Sequence, residues 1–320
     1  MKRIHPLKRL LWIAAFVFLI MNLVAGFHAY TFTHFTDRAV EKTSSSGQLS
    51  AGQKIKTVLL GINNPRPFNT TLPMQPFTTV YLQSNKRIEC WSIPCSKAKG
   101  TVILFHGYGG QKSSMLGKSD LFLQMGYNTL LVDFMGSGGS EGNQTTIGVK
   151  EAEEVKTSFD YLQQKGENNI ILFGTSMGAV AILKAVHEYQ LQPAAIIIEC
   201  PFASMYQTTC ARFRALQVPC FPMAGLLDFW GGIENGFWAF GHQPVEYAKS
   251  VHCPALLLWG EKDPKVSRQE TEDIFTQLAG KKQLKTYPLA AHENYLLKYK
   301  PEWTADISGF LQSIKIIPPQ

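Results

Sequence analysis

Ser176 stands in Gly174-Thr175-Ser176-Met177-Gly178, a G-x-S-x-G pattern. An apolar run, Ile170 to Phe173, leads into it. Val180 to Tyr189 follows with apolar residues at three- and four-residue spacing, so the serine is expected on a tight turn between a strand and a helix. Such a turn forces backbone angles that tolerate only small neighbours, and Gly174 and Gly178 supply the room. The turn presents one hydroxyl at the carboxyl edge of a sheet, beside the N–H of the next residue. For that hydroxyl to attack a carbonyl it needs a base, a carboxylate to orient the base, and donors for the developing oxyanion.

Four histidines follow the serine: His187, His242, His252 and His292. His187 lies inside the helix after the serine and reads as a surface residue. His252 precedes a strand and so sits at its wrong end. His242 falls in an irregular insertion, and position alone leaves it open. His292 directly follows a strand, in Pro288-Leu289-Ala290-Ala291-His292-Glu293-Asn294, where a loop imidazole can reach Ser176. For the carboxylate, the buried run Leu256 to Trp259 ends in Gly260-Glu261-Lys262-Asp263-Pro264. Asp263 is preferred, with Pro264 holding its backbone extended. Glu261 is the neighbouring alternative, and a solvated turn is the plainer reading of both. Of the oxyanion donors, one is expected to be the N–H of Met177, at a helix N-terminus where the backbone dipole helps. The other is expected to be the N–H of Tyr108, in the loop after the first buried parallel strand. His106 in that loop reads as an organiser of the loop rather than as the base.

The elements that must position these groups are legible as well. Phe77 to Gln83 and Ile88 to Ile93 read as an antiparallel hairpin around Ser84-Asn85-Lys86. Thr101 to Phe105, Asn128 to Phe134, Asn169 to Phe173, Ala194 to Ile198, Pro254 to Trp259 and Leu284 to Tyr287 read as further strands. Helices are expected at 113–125, 147–164, 180–189 and 269–278, and after His292. Alternating strands and helices mean an α/β fold with a mostly parallel central sheet and helices on both faces. Ligands then sit at the carboxyl ends of the strands. Residues 201–250 interrupt the alternation and are expected to form a short cap over the serine. Phe202, Phe213, Phe221, Phe229, Trp230, Phe237, Trp238 and Phe240 make that cap aromatic, which favours an apolar acyl pocket.

From about Lys56 to Ile314 the chain resembles an α/β-hydrolase, in the branch of monoglyceride-lipase-like and serine-aminopeptidase-like enzymes. The resemblance is carried by His106-Gly107-Tyr108-Gly109-Gly110, by the run Asp133-Phe134-Met135-Gly136-Ser137-Gly138-Gly139-Ser140-Glu141-Gly142, by the elbow at Ser176, by Gly260-Glu261-Lys262-Asp263, and by Ala291-His292-Glu293-Asn294. It implies the triad Ser176, Asp263 and His292 in that family's chain order, with Tyr108 and Met177 as oxyanion donors. Met135 stands where that family usually carries an arginine, so the contact it makes there must be made differently. Ala179 stands where a second glycine is usual.

The chain of 320 residues suits one large α/β domain plus extras, and 45% apolar residues allow a sizeable core. The formal charge is +7, but Lys2, Arg3, Lys8 and Arg9 supply four of it, leaving +3 elsewhere. With no basic-aromatic stripe, nucleic acid is not an expected partner. Behind that basic start, Leu10 to Phe27 is almost wholly apolar, at the short end of what spans a bilayer. Residues 1–30 are therefore read as a membrane anchor with the catalytic domain on the non-cytoplasmic side. The alternative is a signal peptide whose cleavage leaves a secreted or periplasmic protein. Residues 31–55 read as a polar linker and 56–320 as the hydrolase domain. Of six cysteines, Cys210 and Cys220 are the more plausible disulfide pair, with free thiols the competing reading. The expected function is a serine hydrolase cleaving esters or thioesters of a small-molecule acyl substrate, lipid-derived ones included, through an acyl-enzyme, with no metal or organic cofactor. A serine peptidase acting on amides is the alternative; it would need an acid such as Glu199 or Asp228 to hold a free amine. A non-catalytic membrane-anchored scaffold is the alternative of another class.

Overall fold

The computed structural model describes residues 6–43, 50, 52–53, 56–57 and 61–314. Eight strands, β1 (Thr78–Gln83), β2 (Arg87–Ile93), β3 (Thr101–Phe105), β4 (Asn128–Val132), β5 (Ile170–Thr175), β6 (Ala195–Glu199), β7 (Ala255–Gly260) and β8 (Lys282–Tyr287), form one sheet in the order β1-β2-β4-β3-β5-β6-β7-β8. The β1–β2 hairpin is antiparallel and joins β4 antiparallel, whereas every pairing from β4 across to β8 is parallel. The helices are α1 (Pro6–Thr33), α2 (Leu116–Gln124), α3 (Glu151–Gln164), α4 (Met177–Tyr189), α5 (Met205–Leu216), α6 (Met223–Asn235), α7 (Pro244–Tyr247), α8 (Arg268–Gln277), α9 (Tyr295–Lys298) and α10 (Lys300–Ser313).

The continuous apolar runs become strands buried on both faces, because helices cover each side. Alternate residues feed separate cores. Ile103, Leu172 and Ile196 meet Val155, Phe159 and Val180 of α3 and α4 on one face. Leu104, Phe173 and Leu258 meet Phe122, Trp303 and Phe310 of α2 and α10 on the other. The edge strand β8 carries Lys282, Gln283 and Lys285, and charge on an edge discourages pairing with another chain.

Two departures from the expected elements have local causes. The helix expected from Ile147 begins at Glu151 instead. The buried Glu151 carboxylate accepts the N–H groups of Thr146 and Gly148, both at 2.9 Å, and so folds residues 145–148 into a turn ahead of the helix. The second departure is in the segment expected to be a polar linker. Thr31 to Thr33 complete α1, and the residues after them lie on the domain: Phe35 is buried, its N–H donates to Asn143 O at 2.6 Å, and Thr36 exchanges hydrogen bonds with Asn64 and Arg66. The serine-rich residues 44–49 lie outside the described residues.

Helix α1 is long and apolar enough to cross a membrane, with a mean hydropathy of 2.4 over its most apolar 18 residues. Residues 6–20 are exposed throughout. Its second half packs on α6. Trp230 Nε1 donates to Asn22 Oδ1 at 3.1 Å, Asn235 Nδ2 donates to Thr33 Oγ1 at 3.1 Å, and Ala29 faces Gly231.

The glycine-rich loop 136–142 is held from two sides. Asp133 accepts the N–H groups of Lys112 and Gly139 and pairs with the buried Lys112 ammonium, which also reaches Glu89 at 2.6 Å. Arg66 donates to the carbonyls of Gly142 and Ser140. A guanidinium from a different part of the chain thus serves this loop, while Met135 is buried beneath it.

Candidate active site

Ser176 ends β5 and opens α4 with φ +52° and ψ −112°, a conformation an L-residue holds only where its surroundings enforce it. The flanking glycines are required by contact distance. A Cβ on Gly174 would lie 2.5 Å from the Gly178 carbonyl carbon, and one on Gly178 would lie 2.5 Å from Phe105 O. The Ser176 N–H donates to Glu199 O at 2.7 Å, which ties the turn to β6.

His292 reaches the serine from the loop after β8. Its Nε2 lies 3.1 Å from Ser176 Oγ, and its Nδ1 lies 2.7 Å from Asp263 Oδ2. The Asp263 carboxylate is wholly buried, and its Oδ1 accepts the N–H groups of Lys265 at 2.7 Å and Val266 at 3.0 Å. Glu261 points elsewhere, accepting from Thr286 Oγ1 at 2.8 Å. The other histidines have separate partners. His187 is exposed and contacts Ser250 Oγ at 2.8 Å. His252 is exposed. His242 is buried against Ile147 O at 3.2 Å, and burial pushes its pKa down to about 3. His106 accepts the Phe134 N–H at Nε2 and contacts Gly107 O through Nδ1, so it braces the loop that carries Tyr108.

A cavity of about 330 Å³ opens in front of Ser176, and Tyr108 and Met177 both line it. The Met177 N–H is at the N-terminus of α4, where the helix dipole adds to its hydrogen bonding. Tyr108 is anchored from outside the domain: its ring stacks on Phe32 of α1 at 4.5 Å, and its hydroxyl donates to Phe32 O at 2.8 Å.

Burial works against protonation of His292, but the Cys200 sulfur and the Asp263 carboxylate beside it raise its pKa to about 9. As the candidate base for Ser176, His292 must be neutral to take the proton. The rate constant kcat/KM is therefore expected to rise with pH on a limb centred near 9, and Asp263→Asn should move that limb to lower pH while cutting the rate about 10⁴-fold. A pH profile of ester hydrolysis reads both; a flat profile between pH 7 and 10 would contradict the assignment.

Sequence reasoning missed several neighbours. Cys200 follows β6 with φ +42° and is buried; its sulfur, an Asp263 oxygen and a His292 nitrogen lie within 4.8 Å of one another. Such a donor set could hold a soft metal ion, although both ring nitrogens of His292 are already engaged with Ser176 and Asp263. Its position one residue beyond a strand's carboxyl end was the available signal. Glu199, considered as an anchor for a substrate amine, is fully buried and saturated by the Lys118 ammonium, Thr175 Oγ1 at 2.8 Å and Trp303 Nε1 at 2.8 Å. Asp228 lies in the cap, accepting from Thr209 Oγ1 at 2.7 Å. All six cysteines are free thiols, so Cys210 and Cys220 are not bridged.

The mostly parallel eight-stranded sheet with helices on both faces gives the chain the α/β-hydrolase fold. A family model described as "Serine aminopeptidase, S33" matches residues 96–226. The uncharacterized protein YqkD of Bacillus subtilis is 26% identical over 67% of this chain and 72% of its own length. The lysophosphatidylserine lipase ABHD12 of Xenopus tropicalis is 21% identical over 63% of this chain, which spans 53% of that relative. Among solved structures, the esterase Pf2001 of Pyrococcus furiosus superposes with a TM-score of 0.64, covering 78% of this chain and 97% of that one at 21% identity. At that identity the structural likeness concerns the fold.

Proposed function

We propose that this protein is a serine hydrolase that cleaves carboxylic esters, thioesters included, through an acyl-enzyme intermediate. One observation carries the reading: the hydrogen-bonded series Ser176 Oγ, His292 and Asp263, at 3.1 and 2.7 Å, on an elbow with φ +52°. His292 takes the Ser176 proton as the hydroxyl attacks the acyl carbonyl. Asp263 holds the imidazole in the tautomer that accepts it and stabilises the imidazolium. The N–H groups of Tyr108 and Met177 receive the oxyanion. His292 then protonates the leaving oxygen or sulfur, and water repeats the cycle on the acyl-serine.

The sequence relative named as a lysophosphatidylserine lipase favours an acyl substrate, lipid-derived by analogy. The family model favours a second reading, an aminopeptidase on the same triad. The saturation of Glu199 removes one of the acids that reading would use to hold an amine. Helix α1 is proposed to stay attached as a single anchor, with Lys8 and Arg9 on the cytoplasmic side. Its packing on α6 favours retention over cleavage, since a cut after Gly26 would discard the Asn22–Trp230 contact.

The test sets p-nitrophenyl esters beside aminoacyl anilides, with a fluorophosphonate probe and Ser176→Ala as control. Ester turnover and labelling that both vanish in Ser176→Ala are expected. Preference for the anilides would establish the peptidase, and a wild type inert to substrates and probe alike would leave the scaffold reading.

A further inference from the structure

A second cavity, of about 490 Å³, lies between α1 and the cap. Its apolar wall includes Val24 and Ala29 of α1, Phe213 and Leu216 of α5, and Met223 and Leu227 of α6. The volume is within the roughly 300–1,000 Å³ of ligand sites. Ile147, Arg212 and Lys265 line both this cavity and the one in front of Ser176, so the two adjoin at a neck of one apolar and two basic side chains. Among the described residues neither Arg212 nor Lys265 forms an ion pair with a carboxylate. A basic neck leading to an apolar chamber divides as an amphiphile does.

A bilayer spanned by α1 reaches the depth of this chamber. The wholly exposed stretch of α1, residues 6–20, is only about 22 Å long at 1.5 Å per residue, short of the roughly 30 Å hydrocarbon core. Twenty residues counted from Leu10, next to Lys8 and Arg9, end at Ala29, which faces Gly231 of α6. The span therefore overlaps the part of α1 that packs on the cap. The exposed apolar residues Phe221 (79% accessible), Ile233 (59%) and Trp238 (64%) of the cap fit immersion in the lipid interface.

We propose that this chamber receives the long acyl chain of a lipid ester drawn from the bilayer, so that the membrane helix is a wall of the substrate site as well as an anchor. The proposal rests on the hydrolase reading above. It commits to an acyl chain as occupant, because the wall is apolar, one side of it is the membrane helix, and the neck leads to Ser176.

The test uses the full-length protein in phosphatidylcholine nanodiscs. p-Nitrophenyl esters from acetate to palmitate are compared on wild type, Leu216→Trp and Val24→Trp. Wild-type kcat/KM should climb about three- to fourfold per buried methylene until the chamber is full. Each tryptophan should leave the acetate rate within twofold and cut the palmitate rate at least tenfold. Chain-length profiles parallel to wild type would overturn the proposal. A palmitoyl probe with a terminal diazirine, which needs no turnover, should label α5 in wild type and less than a third as much in Leu216→Trp. An unlabelled α5, or equal labelling, overturns the proposal as well. If instead the hydrolase reading fails, no ester is cleaved while the α5 label persists. If only the tail site is wrong, acetate is still hydrolysed.

Discussion

Ser176→Ala should lower ester turnover by about 10⁶-fold while leaving the fold intact. The substitution keeps the Cβ, so the strained elbow and its glycine contacts are unchanged. It removes the atom that His292 Nε2 approaches at 3.1 Å and leaves the imidazole with its Asp263 partner. Water must then attack without a positioned nucleophile, helped only by binding and the oxyanion donors. Groups that act as a unit are not additive: once the serine is gone, the base has no proton to take. Ser176→Ala/His292→Ala is therefore expected to be no slower than either single variant within about threefold. Steady-state kinetics with one activated ester and thermal melts of all four proteins suffice. A Ser176→Ala enzyme retaining more than 1% of the wild-type rate with an unchanged melt would remove Ser176 from the chemistry.

Much of this arrangement was legible because its signals are local. Continuous runs such as Thr101–Phe105 are too short for a buried helix and so read as strands buried on both faces, and G-x-S-x-G between strand and helix leaves the serine little choice of place. The distances from His292 to Ser176 and Asp263 follow from the carboxyl ends of parallel strands gathering on one edge of the sheet. What sequence could not supply depends on pairings remote along the chain. Nothing near Arg66 announces that it will serve the carbonyls of a loop more than seventy residues away. Nothing near Phe32 predicts that an apolar helix will end by stacking on Tyr108. A polar stretch reads as a linker whenever its few anchoring residues, here Phe35 and Thr36, are too sparse to make a pattern. Lys118 and Glu199 are obscure for the same reason. Charged residues are taken for surface until their partner is known, and theirs is eighty-one positions away.

That pair carries the largest expected effect on stability. Lys118 and Glu199 are buried at 3% and 0% side-chain exposure. Together they join α2 to the end of β6, and through Thr175 and Trp303 they also hold β5 and α10. Lys118→Met leaves the buried Glu199 carboxylate with two neutral donors and no cation. Removing one member of a buried pair costs about 3–5 kcal/mol, and at roughly 2–4 °C per kcal/mol for a domain of this size the melting temperature should fall by about 10 °C. Glu199→Gln should cost a similar amount by stranding the lysine. Lys118→Met/Glu199→Gln leaves no charge buried, keeps a carbonyl acceptor for Trp303 Nε1 and turns the amide NH2 toward Thr175 Oγ1, which can accept from it. It should recover at least half of the loss, which a double-mutant cycle in urea would measure. Because the Ser176 N–H donates to Glu199 O, the single variants should also turn over more slowly at temperatures where they are fully folded, with kcat falling more than KM changes. Single variants within 1 kcal/mol of wild type would show that the pair holds neither the fold nor the elbow.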